Sequence, residues 1–152
     1  MSFDRRQHLL VEIECECGTI GWGECLGPAP INAAIVDHMK SQLIGKNPLD
    51  TEVIWLDLYH TYRDQGQRGV IVTAISGIDV ALWDIKGKLL DHPISTLLGG
   101  RFRASIQAYA TGAFRRAGVD RIPDVVAEIL RYKNEGFQAI KLKIGFNPDE
   151  DL

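Results

Sequence analysis

Ala139-Ile140-Lys141-Leu142-Lys143-Ile144-Gly145 sets two lysines into an otherwise apolar run. In a β-strand, side chains at i and i+2 share a face. Lys141 and Lys143 then lie on one face, and Ile140, Leu142 and Ile144 on the other. Two ammonium groups this close repel, and burial adds a desolvation cost; both favour the neutral amine. A lysine tuned in this way serves as a general base near neutral pH. The same pattern also describes an edge strand with two solvated lysines, whose charge discourages aggregation. The flanking sequence decides between the two.

Upstream, residues 120–134 read as a helix, with Ile122, Val125, Val126, Ile129 and Leu130 apolar and Gly136 closing it. Residues 105–110 read as a strand before that helix. Downstream, Asn147-Pro148-Asp149-Glu150 has an N-cap, a proline at the first helical position and a glutamate at the third, which is a helix start. Strand, helix, strand and helix start make a βαβ unit, which implies parallel strands and a right-handed crossover. Two parallel strands cannot close a core, and an eight-stranded barrel needs ~250 residues. The 152 residues therefore hold at most the beginning of one, and the chain reads as truncated.

The first hundred residues have another character. Leu9, Val11, Ile13, Cys15 and Cys17 alternate with glutamates, which predicts a strand with one buried face over residues 9–17. Gly18-Thr19 turns the chain, and Ile20-Gly21-Trp22-Gly23-Glu24-Cys25 returns as the second arm of a hairpin. Gly21 and Gly23 predict a close backbone approach or a bulge. Glu24 reads as a hydrogen-bonded anchor of the hairpin rather than a ligand. Helical spacing follows at Ile31, Ala34, Ile35, His38, Met39 and Leu43, and again at Val53, Ile54, Leu56, Leu58 and Tyr59. His38 and His60 have no acid or thiol at a ligand spacing. The Asp64-Gln65-Gly66-Gln67-Arg68-Gly69 connector lacks the Lys-Ser/Thr of a phosphate loop and reads as a plain loop. The longest helix spans residues 70–90, with Ile71, Ala74, Ile75, Ile78, Ala81, Leu82, Ile85 and Leu89 recurring at three and four. Small residues at Ala74, Ser76, Gly77 and Ala81 allow another element to approach. Asp79 and Asp84, on this helix, call for structural partners. A short helical turn is expected over residues 94–98.

Bulk properties narrow the class. A net charge of −3 offers nucleic acid no electrostatic footing. No apolar run reaches the ~20 residues that cross a bilayer, and no signal peptide is evident, so a cytoplasmic location is expected. The cysteines, Cys15, Cys17 and Cys25, are odd in number and suit neither zinc nor a disulfide framework. They are expected as buried free thiols.

Three stretches together resemble the enolase superfamily, in its mandelate racemase and muconate-lactonizing enzyme branch. They are the hairpin end Gly21-Trp22-Gly23-Glu24, the helix Ser76-Gly77-Ile78-Asp79-Val80-Ala81-Leu82-Trp83-Asp84-Ile85-Lys86-Gly87-Lys88 with Leu97-Leu98-Gly99-Gly100, and Lys141-Leu142-Lys143. The resemblance implies an α+β capping domain over residues 1–100, then the first βα units of an incomplete (β/α) TIM-like barrel over residues 101–152. It implies that Lys143 is the general base removing a proton next to a substrate carboxylate, and that Lys141 helps neutralise that carboxylate. Such a proton is weakly acidic, so the enolate needs Mg²⁺. Residues 26–31 resemble the capping-domain loop that closes over the site. The implied substrate is a small carboxylate or sugar acid, the implied reaction a dehydration (lyase) or racemisation (isomerase), and a homo-oligomer is expected.

The departures bear on function. The family's first strand and mobile first loop should precede Leu9, where only eight residues stand. Its acidic metal ligands belong to later barrel strands, beyond Leu152, so no metal ligand is assigned in this chain. The alternative reading is a catalytically inactive fragment acting only as a structural or interaction module.

Overall fold

A computed structural model describes residues 6–116 and 118–145. The chain divides into two compact units, Met1–Arg101 and Phe102–Leu152. The helix start expected at Asn147-Pro148-Asp149-Glu150 lies outside the described residues.

The first unit opens with β1 (Leu9–Glu14) and β2 (Ile20–Cys25), paired antiparallel with Leu9 opposite Cys25 and Glu14 opposite Ile20. The alternation works as read: Val11 is buried, Leu9 and Ile13 half-buried, and the glutamates exposed. The strand stops at Glu14 rather than at residue 17. Cys15 N–H donates to the Thr19 carbonyl at 2.9 Å and Gly18 N–H to the Cys15 carbonyl at 2.8 Å, so Cys15 to Thr19 forms the turn. Gly18 takes φ 82°, the left-handed conformation that glycine adopts without a Cβ penalty.

Three helices follow: α1 (Ala29–Met39), α2 (Thr51–Thr61) and α3 (Val70–Leu90), then the single turn α4 (Ile94–Leu97). The connector before α3 contains a 3₁₀ turn, Arg63–Gln65, where a plain loop was expected. The α3 stripe is buried at Ala74, Ile75, Ile78, Ala81, Leu82 and Ile85, whereas Leu89 at its end is exposed. The α2 stripe is narrower than its spacing implies: Ile54 and Leu58 are buried, while Val53 and Leu56 face solvent. On α1 the inward residues are Asn32 and Met39, and Ile31 is exposed. Buried Asn32 is satisfied. Its Nδ2 donates to the Leu26 carbonyl at 3.0 Å, and its Oδ1 accepts from the Thr73 hydroxyl at 2.7 Å.

The hairpin lies on α3 at very short range. A Cβ on Gly23 would overlap the Gly77 carbonyl oxygen, and one on Gly21 would overlap that of Ala81. The close approach expected from those glycines is the seam of this core, which joins Val11 and Cys25 to Met39, Ile54, Leu58 and the α3 stripe.

The second unit pairs β3 (Ala110–Thr111) with β4 (Ile140–Lys141) in parallel, Ala110 opposite Ile140 and Thr111 opposite Lys141, with α5 (Arg121–Asn134) between them in sequence. The βαβ order and the parallel pairing are as read. Both strands are shorter than expected, and β3 begins where residues 105–110 were to end. Each strand has one partner among the described residues, so the ladder persists only where these two meet. No helix among the described residues is long and apolar enough to cross a membrane.

Candidate functional site

In a parallel pair both strands end on the same side. The C-terminal ends of β3 and β4 therefore bring together residues 112–114 and the lysine segment. Lys141 closes β4 and is exposed; Lys143, two residues on, is half-buried. Lys143 Nζ stands 5.2 Å from the centroid of the Phe114 ring, within cation–π range. The Lys143 carbonyl accepts from Arg121 Nη2 at 2.7 Å, which ties the segment to the start of α5.

The loop after β3 is held from α5. Gly112 N–H donates to the Lys141 carbonyl at 3.4 Å. A Cβ on Gly112 would come 2.5 Å from Glu128 Oε1 and 2.6 Å from the Tyr132 hydroxyl, so a larger residue would have to displace the Glu128–Tyr132 pair. Ala113 follows at φ 56°, a conformation costly for a residue with a Cβ. Its N–H donates to Glu128 Oε2 at 3.2 Å, while the Tyr132 hydroxyl donates to Glu128 Oε1 at 2.7 Å. Arg116 Nη2 lies 3.7 Å from the same carboxylate. The Tyr132 hydrogen bond, then the Ala113 amide and the Arg116 and Arg131 charges, hold the Glu128 carboxyl below its usual range against a smaller opposing effect of burial. Gly112, Phe114, Glu128 and Tyr132 escaped the sequence reading. The available signals were a glycine at a strand end, which marks close approach, and a glutamate four residues before a tyrosine on a helix.

The remaining candidates lie in the first unit. Asp84 has the structural partners expected of it: its Oδ2 accepts the Trp22 amide at 2.9 Å and Lys88 Nζ at 2.7 Å. Lys88 chiefly, with the Trp22 amide, lowers its carboxyl pKa. Asp79 departs from that expectation. It is half-buried, and burial alone pushes its carboxyl pKa up. Glu24 pairs with His8 Nδ1 at the hairpin's open end, the anchoring role read for it. The thiols are free, but only Cys25 is buried; Cys15 is half-buried and Cys17 exposed, since the turn carries Cys17 away from the inward face. Cys17 Sγ donates to Thr19 Oγ1 at 3.3 Å. Among the described residues no three metal-donating side chains gather closely enough to hold a metal ion.

Residues 1–99 match the family described as mandelate racemase / muconate lactonizing enzyme, N-terminal domain, and the chain belongs to that family. It is 60% identical, over all 152 residues, to the D-galactarolactone cycloisomerase of Agrobacterium fabrum (strain C58 / ATCC 33970), of which it covers 40%. It is 39% identical over 136 residues to the D-galactonate dehydratase of Pectobacterium atrosepticum, covering 88% of this chain and 34% of that protein. Among solved structures, the 3,6-anhydro-D-galactonate cycloisomerase of Zobellia galactanivorans superposes with a TM-score of 0.85 at 43% identity, covering 93% of this chain and 39% of that one. The L-talarate/galactarate dehydratase of Salmonella typhimurium LT2, liganded with Mg and L-lyxarohydroxamate, does so with a TM-score of 0.80 at 30% identity over 95% and 37%. The chain thus spans about 40% of the length of the first curated relative it matches. Its fold is the α+β capping domain of this family followed by an incomplete (β/α) barrel. The named relatives are acid-sugar enzymes of isomerase and lyase type.

Proposed function

We propose that this chain supplies the capping domain, residues 1–100, and the start of the barrel, residues 101–152, of an enzyme that removes the proton α to the carboxylate of an acid sugar. Lys143 is the base and Lys141 lies by the carboxylate. The observation that carries this reading is the position of Lys143 just past the C-terminal end of β4, beside the loop that ends β3. Active sites of such barrels form at that end of the strands. The identity to a cycloisomerase along the whole chain weighs toward cycloisomerisation, with dehydration next and racemisation after it. All three start with the same proton abstraction.

The residues described here do not fit a magnesium site, so no step is derived through the metal. Its ligands are expected beyond Leu152, and the 152-residue chain alone is expected to be inactive. The second reading is a structural or interaction module that takes no part in the proton abstraction.

A chimera separates the two. The 152 residues replace the matching segment of the A. fabrum cycloisomerase, and α-proton exchange with D-galactarolactone is followed by NMR in D₂O. Exchange is expected with the chimera. Lys143→Ala in it should lose at least about 10³-fold, an amount in keeping with the ~10²–10⁴ contributed by a positioned base. A folded Lys143→Ala chimera that still exchanges at the parental rate removes Lys143 from the chemistry.

A further inference from the structure

The turn between β1 and β2 carries two thiols that the catalytic reading leaves unused. It closes on itself: Gly18 N–H donates to the Cys15 carbonyl at 2.8 Å, and Cys15 N–H to the Thr19 carbonyl at 2.9 Å. Gly18 stands at φ 82°, whereas neither Glu16 nor Cys17 has a positive φ. Turns of types I′, II and II′ each need a positive φ at one of those two positions, so this is a type I turn followed by a left-handed glycine. Cys15 and Cys17 are its first and third residues. With Glu16 between them in the right-handed helical region, helix radius and rise set their Cα atoms about 5.4 Å apart. That lies inside the ~4.4–6.8 Å that a disulfide spans, and the turn's own backbone holds it.

The two thiols differ as a nucleophile and a resolving thiol differ. Cys17 is exposed and Cys15 half-buried. The Thr19 hydroxyl, then the Thr19 amide, hydrogen-bond the Cys17 sulfur and lower its pKa against a smaller effect of burial, and the Cys15 thiol adds to the lowering. Burial, and after it the neighbouring Cys17 sulfur, raise the pKa of Cys15. Cys25 is buried against Gly77, and burial raises its pKa. Thiolate character and access decide which cysteine reacts, and both select Cys17. We infer that Cys15 and Cys17 form a reversible oxidation site for a hydroperoxide. The Cys17 thiolate attacks a peroxide oxygen; an S–O bond forms, the O–O bond breaks, and the leaving oxygen takes a proton from water. The Cys15 sulfur then attacks the sulfur of the resulting sulfenic acid; an S–S bond forms, the S–O bond breaks, and the hydroxide leaves as water with the Cys15 proton. Two electrons pass from the thiols to the peroxide. A bridge across so short a loop gains little from chain entropy, and an exposed one is readily reopened by thiols. Exposed Glu14 and Glu16 flank the pair. Their charge opposes the approach of a second copy of this turn, so the bridge forms within one chain. This inference is independent of the catalytic reading, since it involves none of the lysine segment.

The test uses the reduced 152-residue chain, treated with hydrogen peroxide at pH 7, quenched under denaturing conditions with N-ethylmaleimide, and read by intact mass and peptide mapping. The oxidised chain is expected to lose two hydrogens and take up one maleimide, on Cys25, where the reduced chain takes up three. Dithiothreitol should restore the reduced mass. Cys17→Ser should slow the loss of thiols at least about tenfold, in keeping with the higher thiolate fraction of Cys17. Cys15→Ser, unable to resolve the sulfenic acid, should instead accumulate a dimedone adduct on Cys17. Circular dichroism checks that both variants keep the fold. Several outcomes overturn the proposal: a bridge that includes Cys25, a bridge between chains, Cys17 oxidised to sulfinic acid without a bridge, or thiol loss in folded Cys17→Ser at the parental rate.

Discussion

The Trp22 amide donates to Asp84 Oδ2 at 2.9 Å, across 62 residues of sequence. One carboxylate on α3 thereby closes the outer edge of β2, and Lys88, one turn on, completes the closure at Ile20. Removing it leaves a backbone donor unpaired and Lys88 without its anion. Asp84→Ala is expected to cost about 1.5–3 kcal/mol, the range for a hydrogen bond to a charged group, and Asp84→Asn less, because its amide oxygen still accepts from Trp22. The folded-state pKa of Asp84 is depressed. Its contribution is therefore full above the unfolded aspartate pKa of about 3.9 and is lost as pH falls through the lower folded value. Urea unfolding at pH 7 and near pH 2 checks this: the gap between wild type and Asp84→Ala should narrow in acid. An unchanged gap would mean that the carboxylate's charge contributes nothing.

Gly77 sits in the middle of α3, where alanine is favoured by about 1 kcal/mol on helix propensity. Packing reverses that preference. A Cβ there would overlap Cys25 Sγ and come 3.2 Å from Val11 Cγ2. Overpacking of this kind costs about 1–3 kcal/mol, occasionally more. Gly77→Ala is expected to lower the melting temperature, and Gly23→Ala to lower it further, because there the obstacle is the backbone carbonyl of Gly77 rather than a side chain. A Gly77→Ala chain that melts higher than wild type contradicts the seam.

This seam marks how far the sequence could be read. Gly21 and Gly23 in an alternating strand, and Gly77 among small residues on a helix, each signalled close approach, and the structure joins the three. Hairpin, helix order, βαβ order and parallel pairing follow from patterns of period 2 and 3.6, which are local. Exposure was less legible. Leu56 and Val53 obey helical spacing yet face solvent, because spacing gives a stripe's direction and the neighbour's width decides how much is covered. Cys17 keeps the alternation but falls in the turn, where alternation has no meaning. At the site, Lys141 and Lys143 stand out as charges in an apolar run. Glu128 and Tyr132 do not, since a polar helix residue looks the same whether it faces water or holds a loop.

Asp79 has a carboxyl pKa raised by burial alone. A raised folded-state pKa means that the native chain binds the proton more tightly than the unfolded one. Stability is then lost as pH rises from the unfolded value through the folded one. Asp79→Asn keeps the shape and removes the charge. It is expected to stabilise the chain at pH 7 by an amount on the order of 1 kcal/mol, about 4–8 °C for a domain of 60–100 residues, with the gain vanishing below the unfolded aspartate pKa. Thermal scans of both proteins at pH 7 and pH 3 measure it. A loss of stability at pH 7 would show that the ionised Asp79 has a favourable partner after all.

The second unit leaves large apolar side chains in water: Phe102 is 92% exposed, Ile106 80% and Ile144 73%. Exposed apolar surface of this kind drives association. The 152-residue chain is expected to self-associate with rising concentration in light scattering after size exclusion. A fragment ending at Arg101, where the first compact unit closes, is expected to associate less. A cleanly monomeric full chain with a single cooperative unfolding transition would contradict this.

Glu128 fixes the loop on which Phe114 approaches Lys143, through the Ala113 amide at 3.2 Å. Its folded-state pKa is depressed, so the anchor is intact above the usual glutamate range and is released as pH falls through the lowered value. Glu128→Gln retains an acceptor oxygen but loses the charge that strengthens both hydrogen bonds. The Ala113 amide is expected to exchange with deuterium about tenfold faster in Glu128→Gln at pH 7, the equivalent of about 1.4 kcal/mol, roughly the excess of a hydrogen bond to a charged group over a neutral one. Comparing the two proteins at the same pH cancels the intrinsic exchange chemistry. Below the folded-state pKa of Glu128 both carry a neutral side chain and their rates should converge. A difference that persists in acid would assign the effect to shape rather than charge, and no difference at pH 7 would release Glu128 from any part in holding Phe114 against Lys143.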